Sequence, residues 1–178
     1  MALLILAHPY YTRSIANKTI VNQLTDKYPD LEVRDIFQRY PDYQIDVAAE
    51  QQALLRHETV ILQYPMFWFN MPAILKLWFD EVFSYQFAYG SQGDKLKNKK
   101  VLLSMTVGQP EKNLINEHEN LIESFLKSVH HSIQYSQMNL SGTFLLFDVS
   151  PLSGHSASKI KREAVEHGDK ILKHLLHT

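Results

Sequence analysis

Residues 2 to 7, Ala-Leu-Leu-Ile-Leu-Ala, run apolar without a polar interruption. A strand that never alternates reads as one covered on both faces, as central parallel strands are. His8-Pro9-Tyr10-Tyr11-Thr12-Arg13 follows, and then Ser14, placed to cap a helix whose apolar stripe is Ile15, Ile20, Val21 and Leu24. Tyr28-Pro29-Asp30 marks a turn. Leu31 to Ile36 alternates apolar and polar, which predicts a less buried strand near a sheet edge. Residues 37 to 45 read as an aromatic, proline-containing connection. Asp46 is placed to cap a helix through about Arg56, with Val47, Leu54 and Leu55 as its inner face. Thr59 to Gln63 is a short β-branched run of buried-strand length, cut by Pro65. Pro72 then sits where a helix accepts proline, at its first position. Ile74, Leu75, Trp78, Val82 and Phe83 recur at three and four, predicting a helix from Ala73 to Phe83.

The same grammar continues to the end of the chain. Val101 to Val107 predicts a fourth buried strand, closed by the turn Gly108-Gln109-Pro110. Residues 114 to 130 predict a helix with Leu114, Ile115, Leu121, Ile122, Phe125, Leu126 and Val129 on one face. Thr143 to Phe147 predicts a fifth strand, Pro151 to Ser158 a loop, and residues 158 to 176 a closing amphipathic helix. Strands and helices alternate five times. That pattern predicts a doubly wound α/β fold with a parallel sheet and helices on both faces, in a single domain spanning residues 1–178.

Within this plan, residues 59 to 90 stand apart. Both tryptophans lie there, with five of the nine phenylalanines: Phe67, Phe69, Phe79, Phe83 and Phe87. Leu77 and Phe79 add to the apolar stripe of the 73–83 helix, which is therefore apolar over more than one face. A helix lying on a sheet needs only one stripe. The surplus implies a second buried contact, either a ligand or another subunit. The loop Pro65–Trp68 falls at the carboxyl end of a parallel strand, where open α/β sheets bind ligands, and it could wall a flat-ring site. A simple rich core is the competing reading. At the first strand, a short loop and a capped helix form the usual phosphate-binding arrangement. No G-x-G-x-x-G and no G-x-x-x-x-G-K-[ST] is present. A phosphate would then be held by hydroxyl, amide and imidazole donors, with His8, Thr12, Ser14 and Asn17 as candidates. The alternative is a plain capped surface helix.

Composition narrows the classes. The 178 residues are 45% hydrophobic and 21% charged, with a net charge of −1. No electrostatic case exists for nucleic acid or for an anionic membrane surface. Without cysteine, disulfides, thiol catalysis and thiolate metal sites are excluded. The apolar N-terminus is too short for a signal segment, and no run approaches a membrane span, so a cytoplasmic location is expected. His130-His131 and His174-x-x-His177 lack a carboxylate or cysteine set at ligand spacing, and no metal site is assigned. Ser14 and Ser104 lack the G-x-S-x-G elbow of a hydrolase nucleophile.

Three stretches carry a resemblance: His8-Pro-x-x-x-x-Ser14-x-x-Asn17; Pro65-Met-Phe-Trp68-x-x-x-Pro72-x-x-Leu75-Lys76-x-Trp78-x-Asp80-x-Val82-Phe83; and Phe87-Ala88-Tyr89-Gly90. Together they resemble the flavodoxin-like NAD(P)H:quinone oxidoreductases, and most closely the short bacterial branch. That branch includes the ancillary subunits of glutathione-regulated potassium-efflux systems. The likeness runs from residue 1 to about 110 and weakens beyond. It implies a five-stranded parallel sheet in the order 2-1-3-4-5. It also implies a flavin, FMN for a chain this short, with FAD as the alternative. By motif, His8, Ser14, Ile15, Ala16 and Asn17 would hold the flavin phosphate region. Pro65, Met66, Phe67 and Trp68 would line the isoalloxazine. Thr106, Val107, Gly108 and Gln109 would meet its polar edge. That last loop departs from the family's Thr-Thr-Gly-Gly: Val107 lacks the hydroxyl, and Gln109 lacks glycine's access to positive φ. Phe147 sits near the position of the tyrosine that animal quinone reductases carry after the fifth strand, and His155 follows it.

The resemblance further implies hydride transfer from NAD(P)H through the flavin to a quinone or similar flat acceptor. No side chain is assigned as catalytic, since the cofactor carries the electron chemistry. It implies a homodimer whose second subunit completes the substrate slot, with Phe87 and Tyr89 as substrate-binding residues. The alternative is an ancillary regulatory module docking on a potassium-efflux transporter, with flavin turnover secondary. A one-electron flavodoxin is disfavoured by the near-neutral charge.

Overall fold

The computed structural model describes residues 1–177. Five strands, β1 (Ala2–Leu6), β2 (Leu31–Asp35), β3 (Thr59–Pro65), β4 (Lys100–Thr106) and β5 (Asn139–Leu146), form one parallel sheet in the order β2-β1-β3-β4-β5. Six helices connect and cover it: α1 (Ile15–Lys27), α2 (Ile36–Arg39), α3 (Val47–Arg56), α4 (Ala73–Val82), α5 (Leu121–Tyr135) and α6 (Ala157–His177). Two hydrophobic cores result. Leu4, Leu6, Ile61 and Leu102 face α1 and α6, where Ile20, Leu24, Ile160 and Ile171 meet them. Leu3, Ile5, Leu62 and Leu103 face the other way, onto α3, α4 and α5 through Leu54, Leu75, Trp78 and Leu126. β1 and β3 are buried on both faces, which is why neither alternates.

Four expected elements differ from the structure. Residues 36–39 are helical, because the Asp35 carboxylate accepts the N–H groups of Phe37 (3.1 Å) and Gln38 (3.0 Å); that cap ends β2 and starts α2 inside the expected connection. The helix expected from residue 114 begins at Leu121, where Asn120 accepts the Glu123 N–H at 3.2 Å, and it runs on to Tyr135. Leu114 is still buried, but it reaches the core from a loop. β5 starts at Asn139 rather than Thr143, with a register shift against β4 between Val101 and Leu102 that leaves Ser141 without a register partner. Pro72 is the N-cap of α4, one position earlier than expected.

The inner face of α3 also differs. Leu55 is 43% exposed, while Glu50 is fully buried beside Ala53 and Leu54. A charge there needs partners. Arg34 from β2 donates to Glu50 Oε1 through Nε (3.0 Å) and Nη2 (2.6 Å), and the Tyr40 hydroxyl donates to the same oxygen at 2.6 Å. The Trp78 indole N–H donates to Oε2 at 3.0 Å. Burial, reinforced by Glu50, pushes the Tyr40 phenol up to about 12. The apolar surplus of α4 is partly spent inside the chain: Trp78, Phe79 and Phe83 pack ring on ring with centroids 4.8–5.5 Å apart. Phe79 and Phe83 also edge a groove of about 460 Å³ between α4 and α5.

Candidate functional site

The carboxyl ends of β1, β3, β4 and β5 converge on one cavity of about 520 Å³. From β1 the chain leaves through His8, whose Nδ1 accepts the Tyr10 N–H at 3.0 Å. Burial holds the His8 pKa down at about 4, against a weaker upward pull from its own backbone. The ring is therefore neutral at pH 7, and with Nδ1 accepting, its proton sits on Nε2 as a donor. A 3-10 turn over Tyr11–Arg13 leads to Ser14, which caps α1 by accepting the Asn17 N–H at 3.1 Å. In the first turn of α1, Ile15 and Ala16 have no carbonyl of their own helix to donate to. Their N–H groups and the helix dipole leave this end of the cavity rich in donors.

β3 ends at Pro65, and the Met66 N–H is pinned to the Thr106 carbonyl of β4 at 2.7 Å. Phe67 and Asn70 then close a tight turn with two backbone hydrogen bonds (2.9 and 3.0 Å), and Trp68 and Phe69 between them sit at φ +47° and +63°. Asn-Gly is the usual occupant of such a turn, since side chains at positive φ are strained. Phe69 lies on Phe125 of α5 (5.1 Å between centroids), whereas Trp68 is 93% exposed. Trp68→Gly is expected to raise the unfolding free energy by about 0.5–1 kcal/mol, since strain is relieved and almost no burial is lost. The urea midpoint measures it; an unchanged or lower midpoint contradicts the strain.

The structure brings His8, Ser14, Ile15, Ala16, Asn17, Pro65, Met66, Phe67, Thr106 and Gly108 to the cavity. It does not bring all of the expected set. Trp68 stands outside the lining. The Val107 side chain is buried in the core under α5, its N–H goes to the Leu146 carbonyl (2.8 Å), and its carbonyl accepts the Val149 N–H (3.3 Å). Its buried side chain does not line the cavity. Gln109 is exposed, and its carbonyl accepts the Asp148 N–H at 3.0 Å. Neither Gly108 nor Gln109 has positive φ. Gly108 matters for space instead: a Cβ there would meet Ser150 Cβ at 3.3 Å. Phe87 is a core residue, 9% exposed, and Tyr89 lines the groove between α4 and α5; neither reaches this cavity within one chain.

Tyr10, Arg13, Val149, Ser150 and Ile160 complete the lining and were not foreseen. Arg13 was findable as the one cation in the loop before the capped helix; its guanidinium lies 5.0 Å from the Tyr10 ring centroid. Val149, Ser150 and Ile160 come from the end of the sheet and the start of α6, and no local pattern announces them. His155 accompanies them on the same loop, held by Asp148 at 2.5 Å, and is not part of the lining. Among the described residues, no group of three or more His, Cys, Asp or Glu converges as a metal site, and no helix is long and apolar enough to cross a membrane.

The family model described as flavodoxin-like fold matches residues 1–172. The chain belongs to the flavodoxin-like fold family. Over 167 residues this flavodoxin-like chain is 33% identical to a protein of Bacillus subtilis named an uncharacterized NAD(P)H oxidoreductase, covering 93% of the chain and 95% of the relative. Over 112 residues it is 47% identical to the glutathione-regulated potassium-efflux system ancillary protein KefF of an Enterobacter species. That match spans 62% of the chain and 62% of the relative's length. Among solved structures, it is similar to general stress protein 14 of Treponema denticola in complex with FMN: 28% identity, TM-score 0.87, covering 97% of the chain and 98% of that structure.

Proposed function

We propose that this chain is an FMN-dependent NAD(P)H oxidoreductase acting on quinones or other flat acceptors. One observation carries the reading. A single cavity joins a donor-rich end, made by Ser14 and the first turn of α1, to an apolar wall of Pro65, Met66 and Phe67 at the strand ends. A phosphate ester on a flat aromatic ring needs that combination of partners. The relative named for NAD(P)H oxidoreduction and the similar structure holding FMN agree with it.

FMN, when bound, would supply the two-electron redox chemistry between NAD(P)H and the acceptor. The chain's own residues bind and orient. Ser14 and the N–H groups of Ile15 and Ala16 would hold the phosphate. Pro65, Met66 and Phe67 would shield the ring from water. His8, neutral at pH 7, donates from Nε2 without adding a charge. The proposed working form is a homodimer: Tyr89 and the exposed Tyr85 and Tyr135 lie by the groove between α4 and α5, where a second copy can supply what the first cavity lacks.

The visible spectrum tests this. After loading with FMN and desalting, the protein is expected to retain flavin absorbance that bleaches with NAD(P)H and returns with a quinone. A colourless protein that takes up no flavin overturns the reading. The similarity to KefF favours a second role, as an ancillary subunit of a potassium-efflux transporter. Retention of the protein on the transporter's cytoplasmic domain supports that role; its absence at micromolar concentration removes it.

A further inference from the structure

Under α1, at the carboxyl end of the central strand, lies a polar residue that the motifs leave without a role. Gln63 is fully buried. Its Nε2 donates to Asn17 Oδ1 at 2.7 Å. Asn17, 2% exposed, then donates through Nδ2 to Ser14 Oγ (3.1 Å) and to Thr106 Oγ1 (3.0 Å). The Asn17 backbone N–H also donates to Ser14 Oγ, at 3.1 Å.

A hydroxyl has one proton and two lone pairs. Both lone pairs of Ser14 Oγ are occupied by Asn17, so its proton is all it has left to give. Thr106 Oγ1 also accepts from Asn17 and keeps its proton free. Both residues line the cavity. The direction of donation thus runs one way, from Gln63 through Asn17 to two hydroxyls and on to the cavity. Gln63 Oε1 has no partner in the interior. Turning both amides around would leave the Gln63 NH₂, with two protons, unpartnered instead, and would draw the Ser14 and Thr106 protons inward onto Asn17. A buried group without a partner loses its hydration uncompensated, and one stranded oxygen is the lesser loss.

We propose that Gln63 is a positioning residue for the phosphate end of the site: by anchoring Asn17 it fixes the Ser14 and Thr106 hydroxyls as outward donors, so that the cavity selects a phosphate ester over an uncharged alcohol. This rests on the flavoprotein reading above. Hydroxyls that could turn either way would serve both ligands. With their protons committed outward, they join the Ile15 and Ala16 N–H groups in an all-donor set that suits only an acceptor-rich group.

FMN and riboflavin, which differ by the phosphate, test it by quenching of flavin fluorescence. Gln63→Met keeps length and apolar packing but removes the anchor. It is expected to weaken FMN about 10-fold or more while riboflavin stays within about 3-fold. Unchanged FMN affinity in Gln63→Met, or parallel loss of both ligands, overturns the positioning role and leaves the flavoprotein reading intact. A wild-type protein that binds neither flavin overturns both.

Discussion

Glu50→Ala is expected to lower the unfolding free energy by about 3–5 kcal/mol. The side chain is fully buried and gathers four donors: two from Arg34, the Tyr40 hydroxyl and the Trp78 indole. Truncation leaves the Arg34 charge buried with only Glu32 beside it, at 3.1 Å and partly open to water. The double variant Arg34→Met with Glu50→Leu removes both charges and is expected to recover part of the loss. It cannot recover all of it, because Tyr40 and Trp78 keep donors without acceptors. Urea denaturation of the three variants checks this. A cost below about 1 kcal/mol for Glu50→Ala would mean that water reaches the cluster and pairs with Arg34.

Acid is the second large lever. His167 on α6 is 3% exposed, with Nε2 2.8 Å from Ser104 Oγ. Burial, helped by the charge of Lys170, lowers its pKa from 6.5 to about 4. Between those values the unfolded chain binds the proton and the folded chain does not. Stability from this group is therefore complete above pH 6.5, falls as pH drops toward 4, and levels off below. The shift corresponds to about 3 kcal/mol. His8 and His130 are lowered as well and act in the same direction. In His167→Gln, the fall in stability between pH 6.5 and 4 is expected to shrink by most of that amount. Parallel pH profiles for the two proteins would show that His167 takes up its proton without disturbing the fold.

What was legible in the chain followed from what a residue does locally. The uninterrupted apolar run at β1, the β-branched run at β3, and the caps at Ser14 and Asp46 specified strand and helix starts because backbone hydrogen bonding decides them within a few residues. The loop-and-cap end of the cavity was legible for the same reason: it is one loop and one helix turn. The rest was hidden where charge or distance reverses the local rule. Glu50 reads as a solvent-facing residue until Arg34, 16 positions earlier, is known to face it. Leu114 and Ile115 read as the start of a helix, yet they serve the core from a loop that Asn120 terminates. Val107 matched a family position while its backbone was already committed to Leu146 and Val149. Val149, Ser150 and Ile160 enter only because the chain closes its sheet over the cavity.

The Arg34–Glu50 pair also bears on how β2 finds its place. β2 is an edge strand joined on both sides by helical crossovers, so no hairpin turn sets its alignment with β1. Val33 looks to the α1–α6 side and Arg34 to α3. Sliding β2 by one residue would swing the guanidinium into an apolar layer with no carboxylate to receive it, and would strand Glu50 as well. The alternative alignment is thus penalised twice, which makes a single charged side chain the alignment key of an otherwise slippery strand. The same inward charge discourages a foreign strand from extending the sheet at this edge, a hazard that exposed parallel edges otherwise carry.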